Sequence, residues 1–109
     1  MDKEDIMKAK YYYKDGTTSS RELSKVLHRE DGPAVVYEDG TSYYYNDGKL
    51  HREDGPARVY SNGETYYYVE GAFYTKKQFD RRTTGLLISL KRRLLVWFVR
   101  FLLRGSREL

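Results

Sequence analysis

Residues 27–48 read LHREDGPAVVYEDGTSYYYNDG, and residues 50–71 read LHREDGPARVYSNGETYYYVEG. A shift of 23 residues carries His28 onto His51, Pro33 onto Pro56, Tyr37 onto Tyr60 and the triplet Tyr43-Tyr44-Tyr45 onto Tyr66-Tyr67-Tyr68. Self-similarity at a fixed period is the mark of a repeat architecture, in which each copy buries its apolar face against the next. A partial copy precedes these two. Tyr11 to Gly16 (YYYKDG) matches YYYNDG and YYYVEG. The path from this copy to the first His is lengthened by nine residues, TTSSRELSK at 17–25. That polar insertion is expected to form a surface loop, with Ser20 or Ser24 capping a short helical turn.

The chemistry inside each copy is that of β-hairpins. Asp15-Gly16, Asp39-Gly40, Asp47-Gly48 and Asn62-Gly63 are dipeptides that tolerate the positive φ of tight two-residue turns. Between them lie short runs rich in Val, Tyr and Thr, Ala34 to Tyr37 and Thr41 to Tyr45, suited to a half-buried pleated strand. Asp31-Gly32-Pro33 and Asp54-Gly55-Pro56 predict a second kind of turn, where Pro fixes φ and removes a donor. The pattern changes at Thr75. Thr75-Lys76-Lys77-Gln78 fits a helix capping box, Thr83-Thr84-Gly85 predicts an interruption, and a second helix is expected from Leu86 to about Arg104.

These features predict an α+β, β-rich fold: antiparallel hairpin repeats over residues 1–74, then a basic, apolar helical segment over 75–109. The charge divides at the same place. Residues 1–74 hold ten Lys/Arg against fourteen Asp/Glu, and residues 75–109 hold ten against two. A scaffold joined to a cationic segment that seeks an anionic surface accounts for such a split.

The copies resemble MORN-type repeats, and more closely the HREDGPA repeats of bacteriophage and giant-virus proteins. The resemblance rests on Leu27 to Ala34 and Leu50 to Ala57 and covers Tyr11 to Phe79. Two departures mark it: Arg-Glu-Asp follows each His where a second Gly is usual, and Tyr stands where such strands often carry Trp. The resemblance implies a β-hairpin array and a viral origin.

The sequence offers little for catalysis. Cys is absent, which excludes disulfides and thiolate metal sites. No phosphate-binding loop, nucleophile elbow or metalloprotease pair occurs. His28 and His51, each followed by acids, are the one constellation that could act as base or ligand, but the duplication favours a structural role in which each Arg-Glu-Asp ties neighbouring hairpins together. No catalytic, cofactor or metal residue is assigned.

The chain has twelve Tyr. Strand alternation places Tyr44 and Tyr67 on the face opposite their neighbours, so that one set packs and the other offers a contact surface. Nucleic-acid stacking by these rings is disfavoured by the acidic balance of the repeats.

The C-terminal segment is the sharpest feature. On a helix Ser89, Arg93, Arg100, Arg104 and Arg107 share a narrow stripe, while Leu87, Leu90, Leu94, Trp97 and Phe101 form a seam. Three burials compete for it: the protein's own sheet, a second copy or another protein, and an anionic membrane interface. Partner contacts are expected at Trp97, Phe98, Phe101, Arg93, Arg100, Arg104, Tyr44 and Tyr67. The function expected is a non-catalytic interaction module, in the viral setting a factor that binds and inhibits a host protein. A homo-oligomer is a further expectation, and the alternative is anionic-membrane or nucleic-acid binding through the basic segment. Met1 to Lys10 is charged, so no secretory signal is expected. The location expected is cytoplasmic, that of the host for a viral protein, with membrane association through the helix.

Overall fold

The computed structural model describes Met7–Arg107, a β-rich chain of two antiparallel sheets followed by a single C-terminal helix. Nine short strands come first: β1 (Ala9–Tyr12), β2 (Thr18–Ser19), β3 (Val35–Tyr37), β4 (Ser42–Tyr43), β5 (Tyr45–Asn46), β6 (Lys49–Leu50), β7 (Arg58–Val59), β8 (Thr65–Val69) and β9 (Ala72–Tyr74). The larger sheet runs β2-β1-β3-β4-β7-β8-β9, and β5 pairs with β6 apart from it. The Met1 to Lys10 charge pattern lies partly outside the described residues, as does the side chain of Arg107.

Register explains the aromatic content. Tyr11, Val35, Tyr43, Arg58 and Tyr66 are successive cross-strand partners through β1, β3, β4, β7 and β8. Residues directly opposite one another share a face, so this row is one continuous strip. Its neighbours Tyr37 and Tyr60 interleave with it edge-on. Ring centroids are 5.6 Å apart for Tyr37 and Tyr43, 5.9 Å for Tyr43 and Tyr60, and 5.7 Å for Tyr60 and Tyr66. Edge-to-face pairs of this kind contribute about 0.5–1.5 kcal/mol each beyond burial. Among the described residues the buried apolar side chains are few: Tyr13, Ala34, Val35, Ala57, Val69 and Phe79. Ring stacking along the strip therefore carries cohesion that a deep core would supply elsewhere.

The turns differ from the sequence expectation in an instructive way. Asp47-Gly48 is a two-residue turn with both residues left-handed, φ 50° and 79°. Glu70-Gly71 is its counterpart at 49° and 84°, although Glu-Gly is not a dipeptide that announces such a turn. At Asp15-Gly16, Asp39-Gly40 and Asn62-Gly63 only the glycine is left-handed. There the loops are one residue longer. Gly40 N–H donates to Tyr37 O, and Tyr37 N–H donates to Thr41 O, the geometry of a type I turn closed by a bulge. The Asp or Asn is needed for its side chain. Asp15 Oδ1 accepts from Thr17 N–H at 2.9 Å, Asp39 Oδ1 from Thr41 N–H at 2.8 Å, and Asn62 Oδ1 from Glu64 N–H at 2.9 Å. A carboxylate or amide oxygen here holds a backbone donor two residues on.

Two further expectations are corrected. Part of the insertion is strand, since Thr18 and Ser19 pair with Tyr12 and Tyr11. The rest forms bends with no helical turn at Ser20 or Ser24. Instead the buried Tyr13 hydroxyl donates to Arg21 O and accepts from Leu23 N–H, giving the loop backbone the partners a helix would have supplied. The helix α1 (Lys76–Arg107) begins directly after Thr75 and runs unbroken through Thr83-Thr84-Gly85. One Gly costs about 1 kcal/mol relative to Ala in a helix interior, and Thr somewhat less. Those penalties do not outweigh propagation through the Leu, Lys and Arg on either side. The chain divides into two compact units after Lys76.

Candidate interaction surface

The two HRED segments make the same contacts in the same order. His28 Nδ1 accepts from Asp47 N–H at 3.0 Å, and His51 Nδ1 accepts from Glu70 N–H at 2.9 Å. Each imidazole thereby holds the first residue of a left-handed turn, with its proton on Nε2. The following Arg is a clamp. Arg29 Nε donates to Asp31 Oδ1 at 3.0 Å and its Nη1 to Pro33 O at 3.3 Å, and Arg52 does the same to Asp54 at 2.8 Å and Pro56 O at 3.2 Å. Each guanidinium also covers a tyrosine ring, Arg29 over Tyr12 at 3.9 Å and Arg52 over Tyr44 at 4.0 Å. Gly32 and Gly55 make room for it. A Cβ on Gly55 would lie 3.1 Å from Arg52 Cζ, and one on Gly32 would lie 3.3 Å from Arg29 Cζ.

The expected charge-assisted bonds of Arg-Glu-Asp stay within their own loop, two and four residues away, and the reach to a neighbouring hairpin comes from the His–backbone bonds and the Arg–Tyr ring contacts. The acid each Arg engages is Asp, and the ring it covers is the middle residue of the preceding Tyr triplet. Between the two loops lies an open cleft of about 610 Å3, with Arg29, Asp31, Tyr44, His51 and Glu53 in its walls. The histidine nitrogens that face a turn are occupied by backbone donors. Among the described residues no group of three His, Asp or Glu is disposed to hold a metal.

Electrostatics follows the same local bonds. The Thr17 hydroxyl and N–H, with Lys25 beside them, lower the Asp15 carboxyl to about 2. The Thr41 N–H lowers Asp39, Lys14 lowers Asp47 and Arg52 lowers Asp54. Burial, reinforced by Tyr37, raises the Tyr11 hydroxyl to about 12. Burial and the neighbouring Tyr60 raise Tyr43 to about 12. Arg58 sits between Tyr43 and Tyr68, 5.3 and 5.5 Å from the ring centres. It occupies the place that Val35 holds 23 residues earlier.

Of the side chains singled out in the repeats, Tyr44 is half-buried beneath Arg52 and Tyr67 is half-buried opposite Tyr74. The ring most open on this sheet is Phe73 of β9, 55% exposed. The others singled out, Arg93, Trp97, Phe98, Arg100, Phe101 and Arg104, all lie on α1 and are all exposed. Every large apolar side chain from Leu86 to Leu103 is uncovered, with Trp97 at 64%. The Trp97 ring stacks on Phe101, centroids 5.7 Å apart and planes 13° from parallel. Arg92, Arg93, Val96, Trp97 and Arg100 outline a shallow concavity of about 340 Å3 on the helix. Among the described residues no helix is long and apolar enough to cross a membrane.

The Arg–Tyr clamp was not foreseen, yet a signal for it exists. Tyr12 and Tyr44 are each the middle residue of a Tyr triplet, and the gap from that residue to the Arg differs between copies by the length of the insertion. No family model, curated protein or solved structure matches the chain.

Proposed function

We propose that this chain is a non-catalytic binding module: a tandem β-hairpin array of 23-residue period that serves as scaffold for a cationic, apolar helix, which makes the contact. One observation carries this reading. Thirteen large apolar side chains between Leu86 and Leu103 stand exposed in an unbroken helix, a patch far beyond what soluble monomers leave open without a use for it. The array suits a scaffold, because the side chains its copies share, His28 and His51, Arg29 and Arg52, Asp31 and Asp54, are engaged in turns and clamps. The resemblance to HREDGPA-type repeats agrees with that division of labour.

Photo-crosslinking on the full chain in cells tests the reading. A photoreactive residue at Trp97 is expected to give adducts, and the same residue at Asn62, exposed in the turn between β7 and β8, is expected to give none. Adducts at Asn62 with none at Trp97 would move the contact to the repeats and overturn the proposal.

A further inference from the structure

We infer that the partner of α1 is the surface of an anionic bilayer, along which the helix lies with its seam in the acyl region. The inference rests on the binding-module reading and specifies its ligand. At about 100° per residue, Leu87, Leu90, Leu94, Trp97 and Phe101 fall within one arc of about a quarter of the circumference. Lys91 borders that arc on one side. Arg93, Arg100 and Arg104 border it on the other. All of these side chains are exposed. An apolar face with three arginines along one border and Lys91 set among the apolar side chains of the other suits an interfacial helix: the ridge enters the acyl boundary and the long cationic side chains reach back to the phosphates. Trp97 falls at the border between ridge and cations, beside Arg93 and Arg100, at the headgroup level that indole rings prefer.

Competing occupants fit less well. Between Arg81 and Arg107 there is no Asp or Glu, so two copies packed seam to seam would set cationic borders together with no acid to answer them. A nucleic-acid duplex would neutralise the cations and leave the ridge in water. A spanning orientation would place Lys91-Arg92-Arg93 within the hydrocarbon, at about 2.5–3.5 kcal/mol for each cation near its centre. Ile88, Leu95, Val99 and Leu102 lie away from the ridge and are also exposed. A bilayer that takes in a helix to about 5–10 Å covers most of a cylinder about 10 Å across, where a flat protein surface would cover one side only.

Trp97 is the only tryptophan in the chain, so its fluorescence reports the contact directly. The full chain is mixed with vesicles of phosphatidylcholine, with or without about a third phosphatidylserine. Cosedimentation and a blue shift of Trp97 are expected with the anionic vesicles alone, weakening as salt is raised. Arg93→Glu with Arg100→Glu is expected to lower affinity about a hundredfold or more. Leu94→Asp is expected to abolish the blue shift while the sheet melts unchanged. Equal binding to neutral vesicles, or cosedimentation without a blue shift, would overturn the inference. So would binding to a DNA duplex as tight as to anionic vesicles, or a stable dimer indifferent to vesicles. Protein adducts at Trp97 in cells with no vesicle binding would sink the lipid assignment and leave the binding-module reading standing.

Discussion

His51 holds Glu70 in a backbone conformation that glutamate rarely adopts: the imidazole Nδ1 accepts the Glu70 N–H at 2.9 Å while Glu70 sits at φ 49°. His28 and Asp47 stand in the same relation at 3.0 Å and φ 50°. The acceptor fixes the N–H direction, and the left-handed turn follows. His51→Ala should therefore lower unfolding free energy by about 1–2 kcal/mol, since it strands a backbone donor. His51→Asn, which keeps an acceptor oxygen, should recover part of the loss. Urea unfolding measures both. An alanine variant as stable as the parent would assign the histidine some other role.

Glu70 itself is a weak point. Asn is the residue best suited to the first position of such a turn, and a non-glycine residue at left-handed φ costs about 1–2 kcal/mol. Glu70→Asn should raise the midpoint of thermal unfolding, by about 0.5–1 kcal/mol in stability. The same change at exposed Glu64, outside the left-handed region, should be neutral.

Gly55 and Arg52 should be coupled. Gly55→Ala brings a methyl to about 3.1 Å from the guanidinium carbon and is expected to destabilise by about 1 kcal/mol through displacement of the clamp. In an Arg52→Ala background the three nearest atoms are removed and the cost of the same methyl should fall. A double-mutant cycle reads the difference directly. Additive effects would show that the guanidinium is not held where its hydrogen bonds and ring contact place it.

Stability should fall at both ends of the pH scale, for opposite reasons. Asp15, lowered from 3.8 to about 2, binds its proton less readily folded than unfolded. Its contribution is complete above about pH 4 and disappears as pH falls towards 2. Asp15→Asn keeps an acceptor for Thr17 and should flatten this acid limb. Tyr11 and Tyr43, raised from 10.0 to about 12, contribute fully below pH 10 and lose that contribution as pH rises towards 12. Tyrosinate absorbance should show a late-titrating fraction that disappears in urea.

Much of this arrangement was legible in the chain. The Tyr triplets, the Gly-punctuated turns and the shift of charge at Thr75 gave hairpins followed by a helix. What failed were judgements where local preference competes with context. Asp39-Gly40 and Asp47-Gly48 look alike, but Asp39 is followed by Thr41, whose N–H bonds back to it at 2.8 Å, and Asp47 is met by His28 from 19 residues away. Thr83-Thr84-Gly85 has poor local helix propensity, but the helix is continuous through it. Strand alternation was assumed to pass through Tyr43-Tyr44-Tyr45, but β4 ends at Tyr43 and β5 begins at Tyr45, with Tyr44 N–H donating to Ala57 O. That interruption turns Tyr44 towards Arg52. The exposed helix was legible as a stripe and a seam, and only the structure shows that its apolar side chains stand uncovered.

In the larger sheet no strand has to wait for a partner far along the chain. The order β2-β1-β3-β4-β7-β8-β9 adds neighbours almost in the order of synthesis, with the β5–β6 hairpin closing beside it over a two-residue loop. On the ribosome each hairpin has its template already present as it emerges, so assembly can proceed vectorially from one edge to the other. The helix comes after β9 in the chain, so every strand of the sheet precedes the apolar ridge in the order of synthesis.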